Sequence, residues 1–207
     1  AQEERAGKSA QVVRDYVERE YGDKFFKFIT TLHPVGIAGE LAGKGSNATW
    51  AIRQAKERII DRLGLSYDQI IVSNFDIDTI VPPHYFSLLT YLYLTTAKST
   101  RASYQPIPLY TNNIWEAPAF ARVFAFSTSF WQMIQQARPE QLVTFSSQSV
   151  GLRALVDIGF WQTNVVSEDA GIFWKSFLFY DGDYQTIPLH YPLSMDCVKG
   201  KNLKDTL

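Results

Sequence analysis

The chain has 207 residues, enough for one domain that buries about 70% of the surface its unfolded form exposes. It is 46% hydrophobic and 20% charged with a net charge of −1, so bulk electrostatics gives it no reason to bind nucleic acid. The single Cys197 excludes an internal disulfide and a cysteine metal cage, and no run approaches the roughly 18 apolar residues of a membrane span.

A lone cysteine also fits a reducing compartment. The chain starts at Ala1 without a Met, so it is expected to be a piece of a longer protein. Ala10, Val13, Tyr16, Val17 and Tyr21 follow helical spacing and predict an amphipathic helix ending near Gly22. Residues 25–31 read as a strand. A glycine-rich loop over 36–46 follows, with Asn47 placed to cap a helix that runs to Leu63. Residues 69–75 are a short β-branched run, the pattern of a buried parallel strand. Pro82 and Pro83 open a helix through Leu94. Residues 102–110 read as extended, and Pro106 and Pro108 suit an edge or a bent strand. Residues 117–136 predict a long helix with an aromatic face. Its few lysines favour a core position for Phe124, Phe126, Phe130 and Trp131 over a membrane interface. Then come a strand over 143–149, a short helix over 151–158, a helix over 168–179, a turn at Asp181-Gly182 and a strand over 184–190. Strands alternating with helices predict an α/β fold with a largely parallel sheet in one domain.

The chemistry starts at Asp76-Ile77-Asp78, which leaves the strand over 69–75. On a continuing strand the two carboxylates share one face, roughly 6.6 Å apart from a rise of about 3.3 Å per residue. That is room for Mg²⁺, which takes one or two carboxylates and completes its shell with water and substrate phosphates. The carboxyl edge of an open α/β sheet is where ligands bind. The plainer reading is a turn or helix cap, where Asp is common. An EF-hand loop is excluded, because Thr79 stands where its Gly belongs and Tyr85 where its Glu belongs. Ala42-Gly-Lys-Gly-Ser-Asn47 is not a Walker motif, since residue 38 is Ala and Gly45 follows the lysine. It still carries Lys44 into a helix N-terminus, a favourable seat for a diphosphate. Ser167-Glu168-Asp169 precedes an apolar helix. Its acids either cap that helix or present a general base. The histidines His33, His84 and His190 have no zinc-ligand spacing. Trp161 and Trp174 flank the Glu-Asp pair, and either indole could stack on a sugar or sit in the core.

In order, these motifs resemble the membrane-associated, cellulose-synthase-like kind of family 2 glycosyltransferases. Ala42-Gly-Lys-Gly-Ser-Asn47 is similar to their Lys-Ala-Gly-x-x-Asn loop, and Asp76-Ile-Asp78 to their Asp-x-Asp. Ser103-Tyr-Gln-Pro-Ile-Pro108 is similar to the strand that carries Gln-x-Pro. Leu152 to Gly159 resembles their Arg-x-x-Ala-Leu-x-x-x-Gly segment, and Ser167-Glu168-Asp169 their Thr-Glu-Asp. Tyr184-Gln-Thr-Ile-Pro188 resembles the strand after it. The resemblance spans residues 25–198. The family's first strand, its nucleobase-contacting acid and its Gln-x-x-Arg-Trp motif have no counterpart here.

The resemblance implies a GT-A-like, Rossmann-related fold, incomplete in its N-terminal nucleotide-binding half. It implies an inverting transfer of a sugar from a nucleotide-diphosphate-sugar to a carbohydrate or lipid-linked acceptor. Asp76 and Asp78 would hold Mg²⁺ or Mn²⁺, Asp169 would be the base, and Lys44, Asn47, Gln105, Glu168 and Trp161 would contact substrate. It further implies a parent protein anchored at the cytoplasmic face of a membrane, no nucleic-acid partner, and an isolated chain that is inactive. Two other functions remain open: metal-dependent nucleotidyl transfer, and nucleotide-sugar binding without turnover.

Overall fold

Gln2–Glu3 (β1) opens residues 2–198, the part of the chain described by the computed structural model, and pairs in parallel with Leu32–His33 (β2). Between them α1 (Lys8–Tyr21) ends as its spacing predicts, with the Gly22 N–H donating to the Glu18 carbonyl. The strand expected over 25–31 is absent. Only Leu32 and His33 reach a strand partner, and both ring nitrogens of the buried His33 lie against carboxylates, Glu3 at 3.2 Å and Glu40 at 2.9 Å. α2 (Lys44–Ala55) begins three residues before Asn47, with Gly43 as its N-cap, and continues into one wide π-helical turn over Lys56–Ile60. Asn47 therefore lies within its first turn and caps nothing.

A four-stranded sheet positions everything that follows. Its members are β3 (Ile71–Asn74), β4 (Ala102–Leu109), β5 (Gln148–Gly151) and β6 (Gln185–Ser194), in the order β3-β5-β4-β6. β5 is antiparallel to both its neighbours, and β4 is parallel to β6, so the sheet is mixed and not largely parallel. The cause is the return path after α4 (Ala119–Gln136). That helix ends beside β4, where Gln136 Nε2 donates to the Gln105 carbonyl at 2.7 Å. The loop after it re-enters the sheet at the edge where β3 and β4 leave, which reverses β5. Strand-helix alternation cannot reveal that reversal.

β4 is interior despite its prolines. β5 pairs only with Ser103 and Tyr104, so Pro106 and Pro108 stand beyond that ladder, and an irregularity between Pro106 and Ile107 bends the strand. On one face of the sheet α3 (Tyr85–Thr95) buries Tyr85, Leu89 and Tyr93 against Tyr104, Leu189 and Leu193. Its N-cap is His84, at a left-handed φ of 66°. A second core joins α5 (Leu152–Asp157) and α6 (Glu168–Phe179) to α2 around Val150, Leu155, Trp161 and Ile172. α6 has the predicted bounds.

α4 overturns its expected packing. Its buried stripe is Ala121, Ala125, Ser129, Gln132 and Gln136, and the aromatics are outside. Phe126 is 74% exposed, and Phe130 and Trp131 are 57% exposed. Small residues let the helix lie close on the sheet, where Ser103 and Gln105 are themselves fully buried. Among the described residues no helix is long and apolar enough to cross a membrane.

Candidate functional site

β3 stops at Asn74, and Asp76 begins a turn in which the Thr79 N–H donates to the Asp76 carbonyl at 3.0 Å. Ile77 is fully exposed at its tip. Asp76 and Asp78 thus do not share a strand face, and each has partners of its own. The turn is pinned by the residue before β5: the Asp76 N–H donates to Ser147 Oγ at 2.9 Å, and that hydroxyl also meets Thr79 Oγ1 at 2.9 Å.

Asp76 is the charged centre. Lys44 Nζ, at the first position of α2, lies 2.6 Å from its Oδ1, and Ser146 Oγ donates to its Oδ2 at 2.5 Å. Ser146 stands at φ 50°, a left-handed conformation uncommon for a side chain other than glycine. From there its three polar groups reach three residues. Its carbonyl accepts from Lys44 Nζ at 3.0 Å, its hydroxyl binds Asp76, and its N–H donates to Asp169 Oδ2 at 2.8 Å. The sheet brings Lys44, Asp76 and Asp169 together although they are far apart in sequence.

Asp169, in the first turn of α6, is held at both carboxyl oxygens. Oδ1 accepts the Ala170 N–H at 2.9 Å, and its carbonyl accepts from Thr144 Oγ1 at 2.6 Å and Gln148 Nε2 at 3.2 Å. A carboxylate offers about four lone-pair positions, so two accepted bonds fix its orientation and leave capacity for a substrate hydroxyl. Asp78 sits apart from this set. Its Oδ2 accepts the Asp196 N–H at 3.0 Å, and its carbonyl accepts from Asn112 Nδ2 at 2.8 Å, which ties the turn to the end of β6. All three aspartates bear on one phenol. Tyr110, just past β4, has its pKa pushed up to about 12, first by burial and then by the charges of Asp76, Asp169 and Asp78.

Glu168 is buried, and its carboxyl pKa is raised by that burial and further by Asp169 and Asp76, with its own N–H and Lys44 opposing. A carboxyl whose pKa is raised on folding favours the fold in its protonated form. The stability it adds is complete below its ordinary value of 4.5 and is lost as pH rises through the higher folded value. Glu168→Gln is therefore expected to be more stable than the wild type at neutral pH. The advantage should vanish in acid, which urea denaturation across pH measures. An equal gain at every pH would show that ionisation of Glu168 is not its source.

Glu168 also explains Gly45. A Cβ at residue 45 would lie 2.6 Å from the Gln162 carbonyl oxygen and 2.9 Å from Glu168 Cβ and Cγ. Only a glycine lets α2 approach α6 this closely. Gly45→Ala is expected to cost about 1–3 kcal/mol as overpacking, read as a lower urea midpoint. An unchanged midpoint would mean that the two helices separate freely.

A cavity of about 580 Å³ opens between α2 and β3, within the size range of small-molecule sites. Lys44, Asn47, Ser73, Asn74, Asp76 and Trp161 line it, and Glu168, Asp169 and Gln105 do not. Asn47 Oδ1 and Trp161 Nε1 are buried, with no hydrogen-bond partner among the described residues. Trp161 is 3% exposed and Trp174 is 55% exposed. Gln105 is fully buried, its Nε2 donating to the Pro106 carbonyl and its Oε1 accepting the Phe145 N–H at 2.8 Å. It lies behind the site and holds the loop that carries Ser146.

Sequence reasoning passed over Ser146, Ser147 and Tyr110, and used Gly45 only to exclude a Walker motif. A signal existed for the serines. Thr144, Ser147, Gln148 and Ser149 fall in a stretch expected to be a strand, and each is fully buried. Buried polar groups need partners, so a polar run in a core position points to a network.

Among the described residues no three His, Cys, Asp or Glu side chains cluster as a ready-made metal cage. The aspartates here are hard oxygen donors, which suits a cation that draws most of its shell from water and phosphate. No family model matches the chain, and neither a curated protein nor a solved structure matches it.

Proposed function

We propose that this site transfers a sugar from a nucleotide-diphosphate-sugar to a hydroxyl acceptor, with inversion at the anomeric carbon. The observation that carries the reading is Ser146. One residue orients Asp76, the candidate for the donor diphosphate and its metal, and Asp169, the candidate base. The hard oxygen donors Asp76 and Asp78 would hold Mg²⁺ or Mn²⁺, which when bound neutralises charge on a leaving diphosphate. Lys44 now pairs with Asp76 and turns its ammonium to the phosphates as they arrive at the start of α2, where the helix dipole also favours an anion. Asp169 takes the proton of the acceptor hydroxyl as that oxygen attacks. Asn47 and Trp161 contact the donor from the cavity wall. The motif order described above supports the same reaction, and with it a place at the cytoplasmic face of a membrane.

The experiment is to incubate the complete gene product with Mn²⁺, a panel of nucleotide-sugars and simple acceptors. Acceptor-dependent release of nucleoside diphosphate is expected. Release of pyrophosphate from a nucleoside triphosphate would replace this reading with nucleotidyl transfer. Metal-dependent binding without any release would leave a binding protein.

A further inference from the structure

Asp76 has a cation of its own. Lys44 Nζ lies 2.6 Å from its Oδ1, and among the described residues no other ion pair reaches this carboxylate. The ammonium has a second hold on the Ser146 carbonyl at 3.0 Å, and the other carboxyl oxygen of Asp76 accepts from the Ser146 hydroxyl. Ser146 thus fixes the carboxylate and its counter-ion together. The backbone of Lys44 is held as well. It is the first residue of α2, and Gly45 beside it rests on Gln162 and Glu168 with no space for a methyl group. The side chain is less confined: it is 27% exposed and lines the cavity between α2 and β3. A lysine is a compact charge on a flexible stem of four carbons, so it can exchange one oxygen partner for another while the helix stays in place. Lys44 also offsets the charges that Asp169 and Asp76 exert on buried Glu168. Drawing its ammonium away leaves these three acidic residues without the cation that balances them.

We infer that Lys44 is a gate on Asp76: its ammonium occupies the carboxylate until a diphosphate draws it off, so that a divalent cation and a diphosphate enter as a pair and each is held back without the other. The inference rests on the proposed reading of Asp76 as a ligand for Mg²⁺ or Mn²⁺. Charge and geometry carry it. Both oxygens of Asp76 are engaged, and a divalent ion arriving at either would stand within a few ångströms of an ammonium. Salt screens such a repulsion poorly where the groups are partly buried, as both are here. An anion alone meets the opposite obstacle, because Lys44 must give up Asp76 to reach it. A diphosphate accompanied by its cation removes both. It offers Lys44 a more highly charged partner at the N-terminus of α2, and its oxygens supply part of the shell that a hard cation needs. Coupling between two ligands is typically worth a factor of about 5–150. The motion needed is that of one side chain, since Ser146 and the start of α2 keep their places.

The test is Mn²⁺ binding to the complete gene product with no nucleotide present, read from the free-ion signal in electron paramagnetic resonance. Lys44→Met is expected to bind Mn²⁺ at least about 10-fold more tightly than the wild type, with its circular dichroism unchanged. Lys44→Arg keeps a cation at this position and should bind as the wild type does. Lys44→Met/Asp76→Asn should lose the gain, which assigns it to Asp76 and not to acids elsewhere on the surface. A Lys44→Met protein with no gain overturns the inference, because the lysine then does not compete with the ion. So does a gain that Lys44→Arg shares, or one that survives Asp76→Asn. The gate and the proposed transfer fail separately. Unchanged Mn²⁺ affinity in a protein that releases nucleoside diphosphate removes the gate and leaves the transfer. A Lys44→Met gain in a protein that moves no sugar removes the transfer and leaves the competition for Asp76.

Discussion

Asp169→Asn is expected to lower sugar transfer by the complete gene product about 10²–10⁴-fold, the usual worth of a positioned base. Nucleotide affinity should stay as it is, because Asp169 lies outside the cavity that holds Lys44 and Asp76. The amide is close in shape to the carboxylate. Its single carbonyl oxygen can take the place of the one that accepts the Ser146 N–H, so the loop that orients Asp76 keeps its place at the loss of the Ala170 N–H bond. Turnover and nucleotide binding are measured on the same preparation, with a thermal midpoint as the folding control. A variant that melts earlier but turns over normally per folded molecule would assign Asp169 to capping α6. An active variant that releases pyrophosphate would favour nucleotidyl transfer, which needs no base at this position.

The double variant Asp76→Ala/Asp78→Ala should lose the Mn²⁺-dependent part of nucleotide binding, a drop of roughly 10²–10³-fold. In EDTA the variant should bind at least as tightly as the wild type, because Lys44 is freed from Asp76. The single changes separate the two carboxylates. Asp76 faces Lys44 and Ser146 and should carry most of the loss, while Asp78 also secures the Asp196 N–H and should show a larger stability effect than binding effect. Titration of nucleotide by calorimetry with and without Mn²⁺ checks each. Undiminished metal-dependent binding in the double variant would place the metal elsewhere.

Much of the fold was legible because local signals agreed with it. Ser167 and two acids ahead of an apolar run placed α6 at Glu168–Phe179, and Gly22 marked the end of α1. The site was legible by residue but not by geometry. Asp76, Lys44 and Asp169 were named from sequence, yet the shared strand face assumed for Asp76 and Asp78 was a turn. What joins the three is Ser146, whose role depends on a backbone angle and on partners 23, 70 and 102 positions away. No local pattern encodes such distances. The same limit reversed α4. Periodicity divides a helix into two faces, but it cannot say that the sheet beneath will be lined by Ser103 and Gln105 and so prefer the alanine side.

The contact at Gly45 has a consequence for how ligands sense one another. The first turn of α2 rests on Glu168 and the Gln162 carbonyl with no room for a methyl group between them. Lys44, at the start of α2, and the helix that carries Asp169 are therefore packed as one block. If the proposed donor draws Lys44 from Asp76 and the proposed acceptor seats against Asp169, each acts on an element packed against the other's. Thermodynamic linkage makes that exchange symmetrical: whatever factor the donor adds to acceptor affinity, the acceptor returns to the donor. In such a site the coupling between the two ligands runs through the helix contact, and a single methyl at residue 45 would alter it without touching either ligand.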